Sequence, residues 1–312
     1  MRKIVCSVIT VLLMLMATGY STNAEEMKKT KMDKKPHPPV IGMGAGIDNV
    51  KIRFSHFYMN KSAFIDGNDS VINPTQKEST INKALIRIFY GLTDNLMLVS
   101  FIPYFDKKLE LIDKRGKAIE KKSNGIGDID IRAKYRFLKQ SPGGPWLSMA
   151  MAGGIKFPTG EDDEKQGNVL LPPPLQSGSG STDYILALFA TKKFSKNLFL
   201  HSNAVYQICT KGANDYEFGD KLIYNLSMVR PLNANFDLTA EINGTHFDMN
   251  KAKGIKINTT GGDEIYLAPG IKYNPISTLN LELALPISIW RDLNGPQNAA
   301  DWKIVAGVYY YF

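Results

Sequence analysis

The chain has 312 residues, 44% hydrophobic and 22% charged, with a mean hydropathy of -0.18 and a formal net charge of +8. Past the first two dozen residues no stretch is apolar enough for a membrane-spanning helix, and two cysteines, Cys6 and Cys209, are too few for a disulfide framework. A water-soluble protein and a transmembrane β-barrel share this composition, because a barrel's lipid-facing and lumen-facing residues alternate and average out. The pattern along the chain must decide.

Arg2 and Lys3 precede an apolar run from Ile4 to Met16, and Gly19 to Ala24 (GYSTNA) supplies small residues before Glu25. This is the layout of a secretory signal peptide over 1–24, cleaved after Ala24, and it predicts export. Cys6 leaves with it, so Cys209 stands alone and forms no intramolecular disulfide. Residues 25–49 read as a disordered periplasmic leader: Glu25 to Pro39 is lysine-rich, ends in prolines and offers little to bury. A lone His37 beside prolines is given no role. Export removes nucleic acid as a partner. The lysine excess suits an anionic, phosphate-bearing membrane surface and equally a solvated face.

From Val50 to Phe312 the chain alternates with period two, the strand signal. In 128–137 (DIDIRAKYRF), Ile129, Ile131, Ala133, Tyr135 and Phe137 fall on one face and Asp128, Asp130, Arg132, Lys134 and Arg136 on the other. Strands are predicted at 50–59, 81–91, 96–105, 128–138, 146–157, 183–194, 197–209, 219–230, 235–248, 263–273, 278–290 and 302–312. Short connections (92–95, 139–145, 195–196, 231–234, 274–277) alternate with long ones (60–80, 106–127, 158–182, 210–218, 249–262, 291–301). Loop lengths segregated by end are the outer-membrane arrangement, with short periplasmic turns and both termini in the periplasm. The fold class is therefore all-β, a closed antiparallel transmembrane β-barrel of about 12 strands over 50–312. Ionised residues on the inner face would be costly in the dry core of a soluble barrel. Aromatics near strand ends, Trp146, Phe157, Phe194, Phe236, Tyr273, Trp290 and Trp302 among them, suit an interfacial girdle. The last strand ends in Phe312, the type of terminal signal read by the barrel-assembly machinery.

Three motifs sit at neighbouring strand ends: Gly125-Ile126-Gly127-Asp128, Gly153 to Gly160 (GGIKFPTG) and Ser177 to Asp183 (SGSGSTD). In this order and spacing they resemble the outer-membrane family of phenol-degradation meta-pathway proteins, also described as transporter-like, over roughly residues 80–312. The resemblance implies an outer-membrane barrel that takes up small hydrophobic or aromatic compounds, and it supplies no catalytic residues. Residues 25–79 lie outside it.

Enzymatic readings find no constellation. SGSGSTD lacks the lysine of a phosphate-binding loop. His56, His201 and His246 have no metal-ligand spacing, and no nucleophile elbow is present, which weighs against a lipid-cleaving barrel. No cofactor or metal is expected, and the expected partners are outer-membrane lipid and lipopolysaccharide, a small-molecule solute and the assembly machinery. A structural or adhesion barrel is the third reading. The lumen is expected to carry a basic wall (Lys51, Arg53, Arg87, Arg132, Lys134, Arg136, Lys156) roughly opposite an acidic one (Asp237, Glu241, Glu264, Glu282), with Lys272 against the trend. That arrangement sets up a transverse field, unless the charges are simply cross-paired. At the outer mouth Asp128 and Asp183, with Lys156 between them, are expected to pin the loop 158–182, stiffened by Pro158 and turned at Gly160, over the opening.

Overall fold

The computed structural model describes residues 38–47, 50–139, 147–195 and 198–312. The expected signal peptide and residues 25–37 lie outside the described residues. Twelve antiparallel strands close into a barrel: β1 (Val50–Lys61), β2 (Glu78–Gly91), β3 (Leu96–Ile112), β4 (Ala118–Ile126 and Asp130–Leu138), β5 (Leu147–Lys156), β6 (Asp183–Ser195), β7 (Leu198–Ile208), β8 (Lys221–Pro231), β9 (Phe236–Phe247), β10 (Gly262–Ile276), β11 (Leu279–Ala284 and Ile287–Ala299) and β12 (Lys303–Tyr311). Each strand pairs with its sequence neighbour, and β12 pairs with β1 to close the ring. One end of the barrel carries the turns and the described chain end at Phe312; the other carries the loops.

The alternating pattern places each face as a pleat requires. On β6, Ile185 and Phe189 are 2% exposed inside, while Leu186 and Leu188 are 58% and 49% exposed outside. Ile52, Phe54, Ile86, Ile88, Ile131, Ile155, Leu238, Ile242, Leu267, Leu283 and Val308 continue the outward belt. A protein in water would hide such a belt; a barrel in lipid presents it. Aromatic pairs mark its edges: Phe236 stacks on Tyr273 and Tyr310 meets Phe312 edge-on near the turn end, and Tyr58 leans on Trp302 near the loop end.

Two strands are broken, each for a local reason. Pro286 has no N–H to donate and interrupts β11 between its halves. Gly127 interrupts β4, where a Cβ would lie 2.6 Å from the Phe105 ring and 3.0 Å from the Ser177 carbonyl oxygen, so only glycine fits the approach.

Two expected loops are largely strand. β3 runs on to Ile112 and pairs with Ala118–Ile126 as a hairpin, through 106–127. β11 continues to Ala299 and pairs with Ala63–Gly67, from the expected loop 60–80. These extensions rise past the apolar belt and are polar on both faces, as in the Lys108–Glu110 and Lys108–Glu120 ion pairs. A search for one apolar face does not register them.

Residues 38–47 correct the expected leader at 25–49. They lie inside the barrel, with Val40 and Ala45 both 0% exposed. Ala45 packs with Ala150, Ala152, Ala187 and Phe189, and Val40 with Ala284 and Val305. Met43 and Ile47 pack on Leu85, Phe89, Met97, Val99 and Phe101. The lysine-rich composition that offers little to bury stops at Pro39, and the apolar, glycine-rich stretch PVIGMGAGI that begins there lies in the lumen.

Candidate functional site: a lumen occupied by its own chain

A chain segment inside a barrel must find partners for its backbone groups among the wall side chains. The Glu241 carboxylate accepts the N–H groups of Val40 (2.6 Å), Ile41 (3.1 and 3.2 Å) and Gly42 (3.1 Å), and also Asn225 Nδ2 and the Ser227 hydroxyl at 3.0 Å each. Wall cations take the carbonyls. Lys272 donates to Pro38 O and Arg53 to Val40 O, while Lys134 reaches Gly44 O (2.6 Å) and Gly46 O (2.8 Å). Asn203 donates to Met43 O, and the Ala45 N–H donates to Thr191 Oγ1, which also contacts His201 Nδ1 at 3.0 Å. A Cβ at Gly42 would lie 2.5 Å from Asn225 Cγ and 2.8 Å from Asn203 Nδ2; one at Gly44 would lie 2.7 Å from His201 Nδ1. The glycines are what let the segment lie flush against the wall.

The strand register turns all seven residues of the expected basic wall and all four of the acidic wall inward. It does not leave them facing each other across open water. β1 and β11 are separated by β12 alone, and Arg53 Nε donates to Glu282 Oε1 at 2.8 Å with both side chains fully buried. Gly307, between them on β12, leaves the room: a Cβ there would clash with the Glu282 carboxylate. Glu241 is taken up by the segment, Asp237 accepts from Asn274, and Glu264 accepts from Tyr266. Asp130 pairs with Arg132, Arg87 donates to Ser55, and Arg136 reaches the Asp94 carbonyl at the turn end. Arg53 and Glu282 are thus one pair that joins the two expected walls, as burial of a charge is costly without a partner. Between the segment and the turn end a cavity of about 570 Å³ remains, bounded by Lys51, Phe89, Met97, Tyr309, Tyr311 and the turns at Asn235 and Asn274 to Ser277.

At the loop end Asp128 Oδ1 accepts the Gly160 N–H (3.1 Å), and Oδ2 accepts the N–H (3.0 Å) and hydroxyl (2.5 Å) of Ser179. Lys156 lies between Asp128 (2.9 Å) and Asp183 (2.7 Å). Asp183 also accepts from Ser181, Gln207 and the Thr210 N–H. Gly160 and Gly178 lie backbone to backbone, where a Cβ on either would collide with the other. Pro158 is exposed and makes none of these contacts. The loop folds against the inward face of the β3–β4 hairpin: Lys107 donates to the Gln176 carbonyl, Ser123 donates to the Leu175 carbonyl, and Leu171 and Leu175 are buried. In that loop burial raises the Glu164 carboxyl above its ordinary value. Past the end of β7, burial pushes the Cys209 thiol up to about 12.

Both ring nitrogens of His246 face carboxylates, Nδ1 to Asp263 (2.9 Å) and Nε2 to Asp248 (3.5 Å), so neither is placed to take a proton from a hydroxyl. Among the described residues no group of three or more His, Cys, Asp and Glu side chains is arranged to hold a metal ion. The sequence reading passed over Thr191, His201, Asn203 and Asn225 as partners of the segment. The signal was present in their inward parity on β6, β7 and β8, but nothing in the pattern said what they faced.

Fold and lumen together define a class, a transmembrane β-barrel whose pore is narrowed by its own N-terminal segment and by an infolded loop. The chain belongs to the family described as "Putative MetA-pathway of phenol degradation", whose profile matches residues 66–288. No curated protein matches the sequence. Among solved structures the chain is similar to an outer membrane channel from Pseudomonas putida F1, with 13% identity, a TM-score of 0.65, and coverage of 90% of this chain and 100% of that one. Looser likenesses are to the β domain of the Bordetella autotransporter BrkA (12% identity, TM-score 0.49, 85% and 100% covered) and a FadL homologue of Pseudomonas aeruginosa (8%, 0.44, 86% and 91%). At these identities the likeness is one of fold.

Proposed function

We propose that the protein is a bacterial outer-membrane channel for the passive uptake of small hydrophobic or aromatic molecules. In this reading the turns and termini face the periplasm and the loop end faces lipopolysaccharide. The observation that carries it is an apolar belt outside and, inside, charged and polar side chains set among apolar and aromatic ones around a cavity of about 570 Å³ that reaches the turn end. That space falls in the range of roughly 300–1,000 Å³ typical of small-molecule sites. The likeness to the Pseudomonas putida outer membrane channel supports transport, and the phenol-degradation family together with the aromatic lining supports the solute class. In the structure segment 38–47 and loop 158–182 narrow the path, so passage requires one or both to shift. The loop is held by Asp128, Lys156 and Asp183. The test is reconstitution into liposomes, reading protein-dependent entry of phenol, toluene and arabinose. Entry of the aromatic solutes above protein-free liposomes is expected. Release of fatty acid from the liposome lipids without solute entry would favour an enzyme and sink the channel reading.

A further inference from the structure

The loop-end half of the lumen gathers like charges from opposite walls. The register turns Phe57, Lys83 and Phe105 inward side by side on β1, β2 and β3, with Lys107 next along the inward face of β3. Lys83 lies over both rings, 5.8 Å from the Phe57 centroid and 5.6 Å from that of Phe105, and Lys107 lies over Phe105 at 4.7 Å. Lys221 opens β8 on the far side of the ring and rests 5.8 Å from the Phe218 centroid. The three ammonium groups nevertheless converge: Lys221 acts on both Lys83 and Lys107 as a repelling charge.

What surrounds the three does not cancel them. Among the described residues none of them forms an ion pair. Lys107 donates to the Pro174 and Gln176 carbonyls of loop 158–182, at 3.2 and 2.6 Å, and these acceptors are neutral. The charged groups that act most strongly on Lys83 are Arg87, Lys221 and Arg132 against the carboxylate of Asp130, which Arg132 already holds at 2.8 Å. For Lys107 they are Lys221 and Lys83 against Asp128, which Lys156 holds at 2.9 Å, and Glu164 of the loop. The space between is open to water: Ile223, two residues along the inward face from Lys221, is 40% exposed, and all three lysines keep partial exposure. A narrow, hydrated space with excess positive charge draws anions in and repels cations. The rings of Phe57, Phe105 and Phe218 add apolar contact for an anion with an organic body.

Resting on the channel reading above, we propose that Lys83, Lys107 and Lys221 form an anion-binding station against loop 158–182, which takes small organic anions and turns cations away. It is separate from the cavity at the turn end, none of whose bounding residues it includes.

Matched thiol reagents of opposite charge test this in the full chain held in lipid nanodiscs. Ile223→Cys places a thiol beside Lys221, and the parent chain, whose Cys209 is buried, gives the background. Each rate is divided by that of the same reagent on a free thiol. At about 0.05 M salt, methanethiosulfonate ethylsulfonate should modify Ile223→Cys at least about tenfold faster than the trimethylammonium reagent. The preference should fall toward equality at about 1 M salt, where the screening length is about 3 Å, and to about threefold or less in Lys83→Gln/Lys107→Gln/Lys221→Gln. If Ile223→Cys does not assemble, Val205→Cys, opposite it on β7, repeats the measurement; if the triple variant does not, the salt dependence decides. Equal rates, a faster cationic reagent, no modification by either reagent, or a preference indifferent to salt and to the three substitutions overturns the station. Solute entry into liposomes judges the channel separately. Anion preference in a barrel that passes no solute refutes transport and keeps the station, whereas solute entry with equal rates does the reverse.

Discussion

The seating of segment 38–47 can be perturbed at one carboxylate. Glu241 accepts three successive backbone N–H groups of the segment, from Val40, Ile41 and Gly42, from a position with no exposure of its own. Shielded hydrogen bonds to an ionised acceptor are worth about 1.5–3 kcal/mol each. Glu241→Gln keeps the shape, removes the charge, and turns an NH2 group toward at least one former donor. Losing one such bond outright and weakening the others should cost the seated state about 3 kcal/mol, roughly a hundredfold in its equilibrium with an unseated one.

A thiol at position 43 reads that equilibrium directly. Met43→Cys places it on the segment, and the native Cys209, whose thiol burial raises to about 12, stays unreactive at pH 8 and gives a clean background. A polar maleimide should modify Met43→Cys slowly and Met43→Cys/Glu241→Gln about a hundred times faster, with more frequent open events in single-channel records. Gly42→Ala should act in the same direction, because its Cβ would lie 2.5 Å from Asn225 Cγ, an overpacking worth about 1–3 kcal/mol. If both variants assemble, as heat-modifiable gel migration reports, and label at the parent rate, the segment is not held by this carboxylate and the reasoning fails.

Three further outcomes are expected. Arg53→Met leaves Glu282 buried and unpaired and should destabilise the refolded barrel by about 3–5 kcal/mol in denaturant titrations, while Arg53→Met/Glu282→Leu recovers part of the loss; equal losses would mean the pair contributes nothing. Asp128→Ala removes the acceptor for Gly160 and Ser179, so those two amides should exchange with deuterium about tenfold faster or more while the barrel amides stay unchanged. Glu164 favours its protonated form when the loop is docked, so docking is strongest below the ordinary glutamate range and weakens as pH rises through the raised value; Glu164→Gln should flatten that dependence, and an unchanged slope would refute the assignment.

The barrel was legible in the sequence because its physics is local and periodic. A pleated strand with lipid on one side and a polar interior on the other must alternate, and Asp130–Leu138 does so residue by residue. The motif Gly125 to Asp128 could be placed at a strand break for the same reason: glycine and a short acceptor mark a bend whatever surrounds it. The contacts of segment 38–47 are of another kind. Val40 meets Glu241 across 201 positions and Lys272 meets Pro38 across 234, and no period in either stretch refers to the other.

What could have betrayed the segment is a mismatch of volume and charge on the inward face. Ala150, Ala152, Ala187 and Ala284 are too small to meet across a twelve-stranded ring, and they are buried nonetheless, so something must lie on them. Arg53, Lys272, Glu241 and Glu282 are also buried, and bare charges at mid-lumen demand either water or partners. A stretch that is apolar enough for the alanines, rich in glycine and thus in accessible backbone N–H and C=O groups, satisfies both demands at once. PVIGMGAGI is such a stretch, and it directly precedes β1. Arg53, Lys134, Glu241 and Lys272 are therefore the charged part of the socket that holds the segment.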